Sequence, residues 1–211
     1  MTRTDPTRIP ELMSRDRGLL DALLDATVLA HVAFVTADGT PGVLPTAAIR
    51  WGDELLVHGS TGSRWMRLAA GAPAVVSIAV VDGVTVARSA FESSLLYRSA
   101  VLFGSFRRLE AQEKARALAA VTDRLIPGRV AEVRGSTPRE LAATMVLAMP
   151  IREWSLRVSD DWAEDPEHDV AGDAWAGQVR FGDRPATVLG APDLRAGIPV
   201  PLSVQDLRAR H

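Results

Sequence analysis

The run His58-Gly59-Ser60-Thr61-Gly62-Ser63-Arg64 has the composition of an anion site. An apolar stretch ends there, glycines and small hydroxyl residues follow, and helical spacing begins in SRWMRLAA. A loop of that kind turns backbone N–H groups and the positive end of a helix towards one spot. Ser60, Thr61 and Ser63 can donate to phosphate oxygens, and Arg64 adds a forked charge. The same residues suit a plain helix N-cap, with one hydroxyl capping and Arg64 in water. Arg50, followed by Trp51, either adds charge to the same ligand, lies over a flat ring or is solvated at a strand end.

A second polar cluster, Ser93 to Ser99, holds Tyr97, the only tyrosine of the chain. A phenol, a guanidinium and a hydroxyl at a strand entrance suit either a polar cofactor or a strand cap. His31 and His58 sit in apolar runs, where histidine is usually a hydrogen-bonded core residue. The four histidines are widely spaced and cysteine is absent, so no metal-ligand pattern emerges. No Gly-x-Ser-x-Gly elbow marks a hydrolase. Trp154, Trp162 and Trp175 fall in the C-terminal third and suit core, dimer contact or the wall of a pocket for a flat ligand.

The elements that must position these groups are mostly strands. PELMSRDRGLLDALLDA carries Leu12, Leu19, Leu20, Leu23 and Leu24 at helical spacing. VLAHVAFVTA, VLPTAAIRW and ELLVHGS then read as a meander with turns at Asp38–Gly42 and Gly52-Asp53. SRWMRLAA reads as a helix stopped by Gly71 and Pro73. AVVSIAVVDG and VTVARSAF read as two strands joined at Asp82-Gly83. YRSAVLFGSFRRL is a further strand, with Gly104 at a bulge or close approach. Glu110–Leu125 is the clearest helix, rich in Ala, Leu, Glu and Arg. Thr137-Pro138-Arg139-Glu140 predicts a capping box opening a helix through Val146. MPIREWSLRVS is extended, residues 160–172 form an acidic loop or arm, and Val204 to Arg210 suit a last helical turn. Short strands with inserted helices, rather than a βαβ alternation, predict an antiparallel barrel.

Composition narrows the function. Twenty-four basic residues against 26 acidic ones leave a net charge of −2, which argues against a nucleic-acid partner. Without cysteine there are no disulfides, thiolate metal sites or cysteine nucleophiles. The polar, charged opening MTRTDPTRIPELMSRDRG predicts no secretory segment, and Leu68–Val81 is too broken to span a bilayer, so a cytoplasmic protein with no membrane partner is expected.

Taken together, LAHVAFVTADGTPGVLPTAAIRWGDELLVHGSTGSRWMR, VDGVTVARSAFESSLLYRSAVLFGSFR, IPGRVAEVR, ELAATMVLAMPIREWSLRV and DAWAG resemble a known family in order and spacing. The sequence is similar to pyridoxamine 5′-phosphate oxidase-like, FMN-binding split-barrel proteins, in the branch grouped with nitroimidazole-resistance flavoproteins. The resemblance covers Leu29 to Gly177. It implies a mainly β fold (α+β), a six- to seven-stranded antiparallel split β-barrel with peripheral helices. Residues 1–157 would form the flavin-binding domain, with an N-terminal helix over 10–25. Residues 158–211 would form an extension packing on the barrel or on a dimer partner.

The resemblance further implies a homodimer with FMN in a cleft at the interface. Pro45, Thr46, Ala47, Ala48, Ile49 and Arg50 would line the isoalloxazine ring. His58, Gly59, Ser60, Ser63 and Arg64 would surround the phosphate, and Tyr97, Arg98 and Ser99 would lie near the ring or ribityl chain. Trp175 would come from the C-terminal segment towards the partner's cofactor. The implied activity is an FMN-dependent oxidoreductase acting on a small flat organic substrate. The alternative is a non-catalytic holder of flavin, deazaflavin or a tetrapyrrole such as heme. No residue is assigned as acid or base. The chain departs from the family pattern at Glu92–Leu96 and at Leu156, both bearing on the substrate face.

Overall fold

A computed structural model describes residue 4, residues 10–36, 38–171 and 174–181, and residues 202, 205 and 206. A 3-10 turn (Pro10–Leu12) and strand β1 (Met13–Ser14) precede helix α1 (Arg17–Ala26). Strands β2 (Leu29–Val35), β3 (Pro41–Trp51) and β4 (Glu54–Ser60) follow, then helix α2 (Arg64–Ala69). Next come β5 (Pro73–Val86), β6 (Ser94–Ser105) and β7 (Arg107–Arg108). Helices α3 (Ala111–Leu125), α4 (Arg129–Glu132) and α5 (Pro138–Ala143) lead to β8 (Thr144–Pro150) and β9 (Glu153–Ser159). Helix α6 (Glu167–Val170) and β10 (Gly177–Arg180) close the described chain. The strands run in the order β1-β9-β6-β5-β2-β3-β4-β8-β7, with β10 on β5, and every strand pair is antiparallel.

Strand periodicity decides what goes inside. Ala30 and Val32 of β2, Leu55 and Val57 of β4, Val76 and Ile78 of β5, and Leu102 of β6 alternate into one interior. Helix α1 closes that interior from one end with Leu20, Leu23 and Leu24, and the Asp16 carboxylate caps it by accepting from the N–H groups of Gly18 and Leu19. Gly104 makes the close approach expected of it. Its missing side chain leaves room for Met149 of β8, since a Cβ there would lie 3.0 Å from Met149 Cγ.

A second apolar cluster lies outside the barrel. Ile49, Leu56, Val146 and Ala148 point outward from β3, β4 and β8 and are sealed by Ala117 and Val121 of α3 with Leu109. Strand β8 is therefore buried on both faces from Met145 to Met149. That overrides the helix expected to continue through Val146, which stops at Ala143 after the capping box of Thr137 and Glu140. Lys114 of α3 is buried too, its ammonium donating to the carbonyls of Leu141 and Thr144 at the C-terminal end of α5.

Three expectations change in detail. The turn expected at Asp82-Gly83 is a β-bulge inside the single long strand β5, because β6 pairs with it on both sides of the irregularity. Gly83 is needed there for space: a Cβ would sit 2.4 Å from the Val179 carbonyl oxygen of β10. The N-terminal helix begins at Arg17 rather than at residue 10, since β1 pairs with β9 first. There are ten strands among the described residues rather than six or seven, the additions being the short β1, β7 and β10 and the division of MPIREWSLRVS between β8 and β9. The helical turn expected over Val204 to Arg210 lies outside the described residues except for Gln205 and Asp206. No helix among the described residues is long and apolar enough to cross a membrane.

Candidate functional site

Strand β3 changes partner midway. From Pro41 to Ala47 it pairs with β2, and only from Ala48 to Trp51 does it pair with β4. Strand β4 stays with β8 throughout, so beyond Val57 its other edge has no partner strand among those described. The sheet opens at this point. His58 and Ser60 of β4 share the outward parity of Leu56, and Pro45 and Ala47 of β3 share that of Ile49. Small side chains from β3 thus stand on one side of the opening and His58 and Ser60 on the other.

The loop after β4 is built around Thr61. Its N–H and its hydroxyl both donate to the Ala143 carbonyl, at 2.9 and 3.3 Å, and Arg67 donates to the Thr61 carbonyl at 3.1 Å. The Ser60 hydroxyl accepts from Gly62 N–H at 3.1 Å. Ser63 occupies the N-cap position of α2, yet its hydroxyl caps no helix N–H. The first-turn N–H groups of α2 lack intrahelical acceptors, as at any helix start. Arg64 is exposed and forms no ion pair with the described residues. The side-chain cap of the plain N-cap reading is therefore absent: the hydroxyls of Ser60 and Thr61 hold the turn, the Ser63 hydroxyl caps no N–H, and Arg64 is exposed as that reading expects. Gly59 points the other way, against Met66 of the core, where a Cβ would lie 3.4 Å from Met66 Cγ.

Other expected residues are placed elsewhere. Thr46 and Ala48 have inward parity, and Ile49 is sealed under α3. Arg50 does not reach the loop, and it stacks on no ring among the described residues. It sits opposite Leu55, five residues along β4 from Ser60 and so about 17 Å away. Its guanidinium is held by Asp25, with Asp21 at 3.8 Å, both on α1, and the Asp25 hydrogen bonds raise its pKa. Tyr97 and Ser99 do face outward, but β6 lies three strand spacings from β3, about 14 Å. Arg98 has the opposite parity and binds Asp82 through two hydrogen bonds of 2.8 and 2.6 Å, which raise its pKa. Arg98 and Asp82 line a cavity of about 350 Å³ with Asp160, Arg180 and Phe181. Trp175 is 66% exposed, with its ring against Gly177 next to the far end of β5. One protomer therefore places Pro45 and Ala47 on one edge of the opening and His58 and Ser60 on the other, with Ser63 and Arg64 following in the loop after β4, and leaves Tyr97, Ser99 and Trp175 apart from them.

The imidazole of His58 is half-buried, and desolvation lowers its pKa, so it is neutral at pH 7. Among the described residues no cluster of three His, Asp or Glu suits a metal ion.

The alternation of β9 corrects one further expectation. Leu156, where the resemblance implies a polar group on the substrate face, is fully buried in the barrel. Its neighbour Arg157 carries the cation on the outer face, over the Tyr97 ring at 5.7 Å. Counting strand parity from Leu156 would have found it.

The family model described as pyridoxamine 5′-phosphate oxidase matches residues 16–158. No curated protein matches. Among solved structures, the FAD and heme binding protein from Mycobacterium smegmatis is 50% identical, with a TM-score of 0.89 over 93% of this chain and 97% of that one. The flavocytochrome Anf3 from Azotobacter vinelandii is 30% identical, with a TM-score of 0.89 over 98% of this chain and 96% of that one. A Bacteroides thetaiotaomicron structure named for 5-nitroimidazole antibiotic resistance shares the fold at 14% identity and a TM-score of 0.57, over 69% of this chain and 86% of that one. Split-barrel topology, the loop between β4 and α2, and a match spanning most of the barrel agree: this chain belongs to the pyridoxamine 5′-phosphate oxidase family.

Proposed function

We propose that the protein is a flavin- and heme-binding redox protein, with the flavin phosphate at Ser63, Arg64 and the start of α2 and the ring in the opening between β3 and β4. The observation that carries this reading is the 50% identity, over nearly the whole of both chains, to a protein named for FAD and heme. The same likeness supports FAD over FMN as the flavin.

The residues at the opening fit such a ligand. Ser63 has a hydroxyl that caps nothing, and Arg64 has a charge that no described carboxylate neutralises. Pro45 and Ala47 leave space above β3 for a flat ring. For heme, His31 and His58 both face outward, and burial keeps the His58 imidazole in the neutral form that iron takes. Bound flavin would supply hydride or single-electron transfer and heme single-electron transfer. The chain's own part is to neutralise the phosphate with Arg64 and the helix end, and to hold the ring on an apolar floor. Unpaired strand edges at the opening offer N–H donors to the ring's oxygens.

The working form is a homodimer. Its support is the outer face of β2, β3 and β5, where Leu29, Val35, Val43 and Val81 are 56%, 56%, 62% and 48% exposed. A second copy laid on that face would bring its own Tyr97, Ser99 and Trp175 towards the opening. A small flat organic substrate would then meet the flavin between the two subunits.

The test is the visible spectrum of the purified protein, followed by mass measurement of the extracted flavin. A flavin envelope together with a Soret band, and FAD in the extract, support the reading. A colourless protein that takes up neither FAD nor hemin on titration overturns it.

A further inference from the structure

We propose that Arg157, Ser99 and Tyr97 form a carboxylate-binding site on the outer face of β6 and β9. Among the described residues, the buried side-chain polar atom without a hydrogen-bond partner is Nε of Arg157. A buried donor with nothing to donate to is costly and calls for an acceptor. The guanidinium lies over the Tyr97 ring, its Cζ 5.7 Å from the ring centre.

Nearby arginines are in a different state. Arg98 binds Asp82, Arg88 binds Asp165 at 3.0 Å, and Arg180 binds Asp160. Arg157 has no such carboxylate among the described residues. Opposite it on β6 stands Ser99, and Tyr97 is one step diagonal, so the three side chains share one patch. The two Nη groups of the guanidinium form a planar fork that matches two coplanar oxygens. A single guanidinium balances one negative charge, which suits a carboxylate better than a phosphate dianion.

The carboxylate has two possible sources: a heme propionate, which rests on the reading above, or a free organic acid. Calorimetric titration of the full-length protein with hemin, with hemin dimethyl ester and with benzoate separates them. For a propionate, wild type prefers hemin over its ester by about 10- to 100-fold, Arg157→Leu loses that preference, and Arg157→Lys keeps part of it. For a free acid, benzoate binds to wild type and not to Arg157→Leu, whether or not hemin binds at all. The milder pair Ser99→Ala and Tyr97→Phe carries the same comparison if Arg157→Leu does not fold. Hemin and benzoate titrations unchanged by every variant overturn the proposal while leaving heme binding standing. Loss of the dimer in Arg157→Leu without a change in either titration also overturns it, by assigning Arg157 to the subunit contact.

Discussion

Leu56 and His58 lie two residues apart on the same outward face of β4, and their surroundings could hardly differ more. Leu56 is 1% exposed, sealed with Ile49 and Val146 under Ala117 and Val121 of α3. His58 stands beside an edge that β3 has left. The same strands therefore serve two purposes. Where a helix covers them, large apolar side chains interlock and stabilise the barrel. Where β3 departs for β2, side chains become small or polar, the ladder between β3 and β4 stops, and a loop follows whose Arg64 forms no ion pair among the described residues. A packed half holds the geometry of an open half.

Substitution on each side should separate these roles. The largest effect belongs to the sealed side: Leu56→Ala should lower unfolding stability by about 2–5 kcal/mol, since it removes buried volume between β4 and α3. Flavin bound per folded molecule should stay the same, and denaturant titration with a flavin count checks both. Arg64→Ala should act in reverse, weakening flavin affinity by about 1.5–3 kcal/mol while leaving the melting temperature of the flavin-free protein in place. Fluorescence titration reads that loss. Ser63→Ala should cost flavin binding about 0.5–1.5 kcal/mol, the contribution of one hydrogen bond, and should leave stability nearly untouched because its hydroxyl caps nothing.

The smallest effect concerns pH. Burial lowers the pKa of His58 below its ordinary 6.5, so the unfolded chain takes up a proton more readily than the folded one. The stability due to the neutral imidazole is present above about pH 6.5 and falls as the pH drops through and below that value. His58→Gln should therefore show a smaller drop in melting temperature between about pH 7.5 and about pH 5.5 than wild type does. An equal drop would place the acid sensitivity elsewhere.

What could be read from the chain beforehand follows the range of the interactions. The loop at Ser60–Arg64 was legible because glycine, small hydroxyls and a helix start are neighbours in sequence. The capping box at Thr137 and Glu140 was legible for the same reason. The opening beside it was not, since it depends on β3 exchanging β4 for β2, a matter of pairing between distant segments. Asp82-Gly83 has the composition of a turn, yet pairing with β6 on both sides keeps the strand going. Arg50 looked like a ligand group because the two aspartates that claim it lie on α1, a turn apart and far back in the chain. Arg157 has no local sequence signal beside Leu156, although alternation alone distinguishes the buried residue from the outward one.

Hydrogen exchange with and without FAD tests the location of the site most directly. Added FAD should slow exchange over residues 46–47 and 58–66, which flank the opening and include the first turn of α2, and should leave α3 to α5 unchanged. Protection confined to α3–α5, with residues 58–66 exchanging as before, would contradict the account.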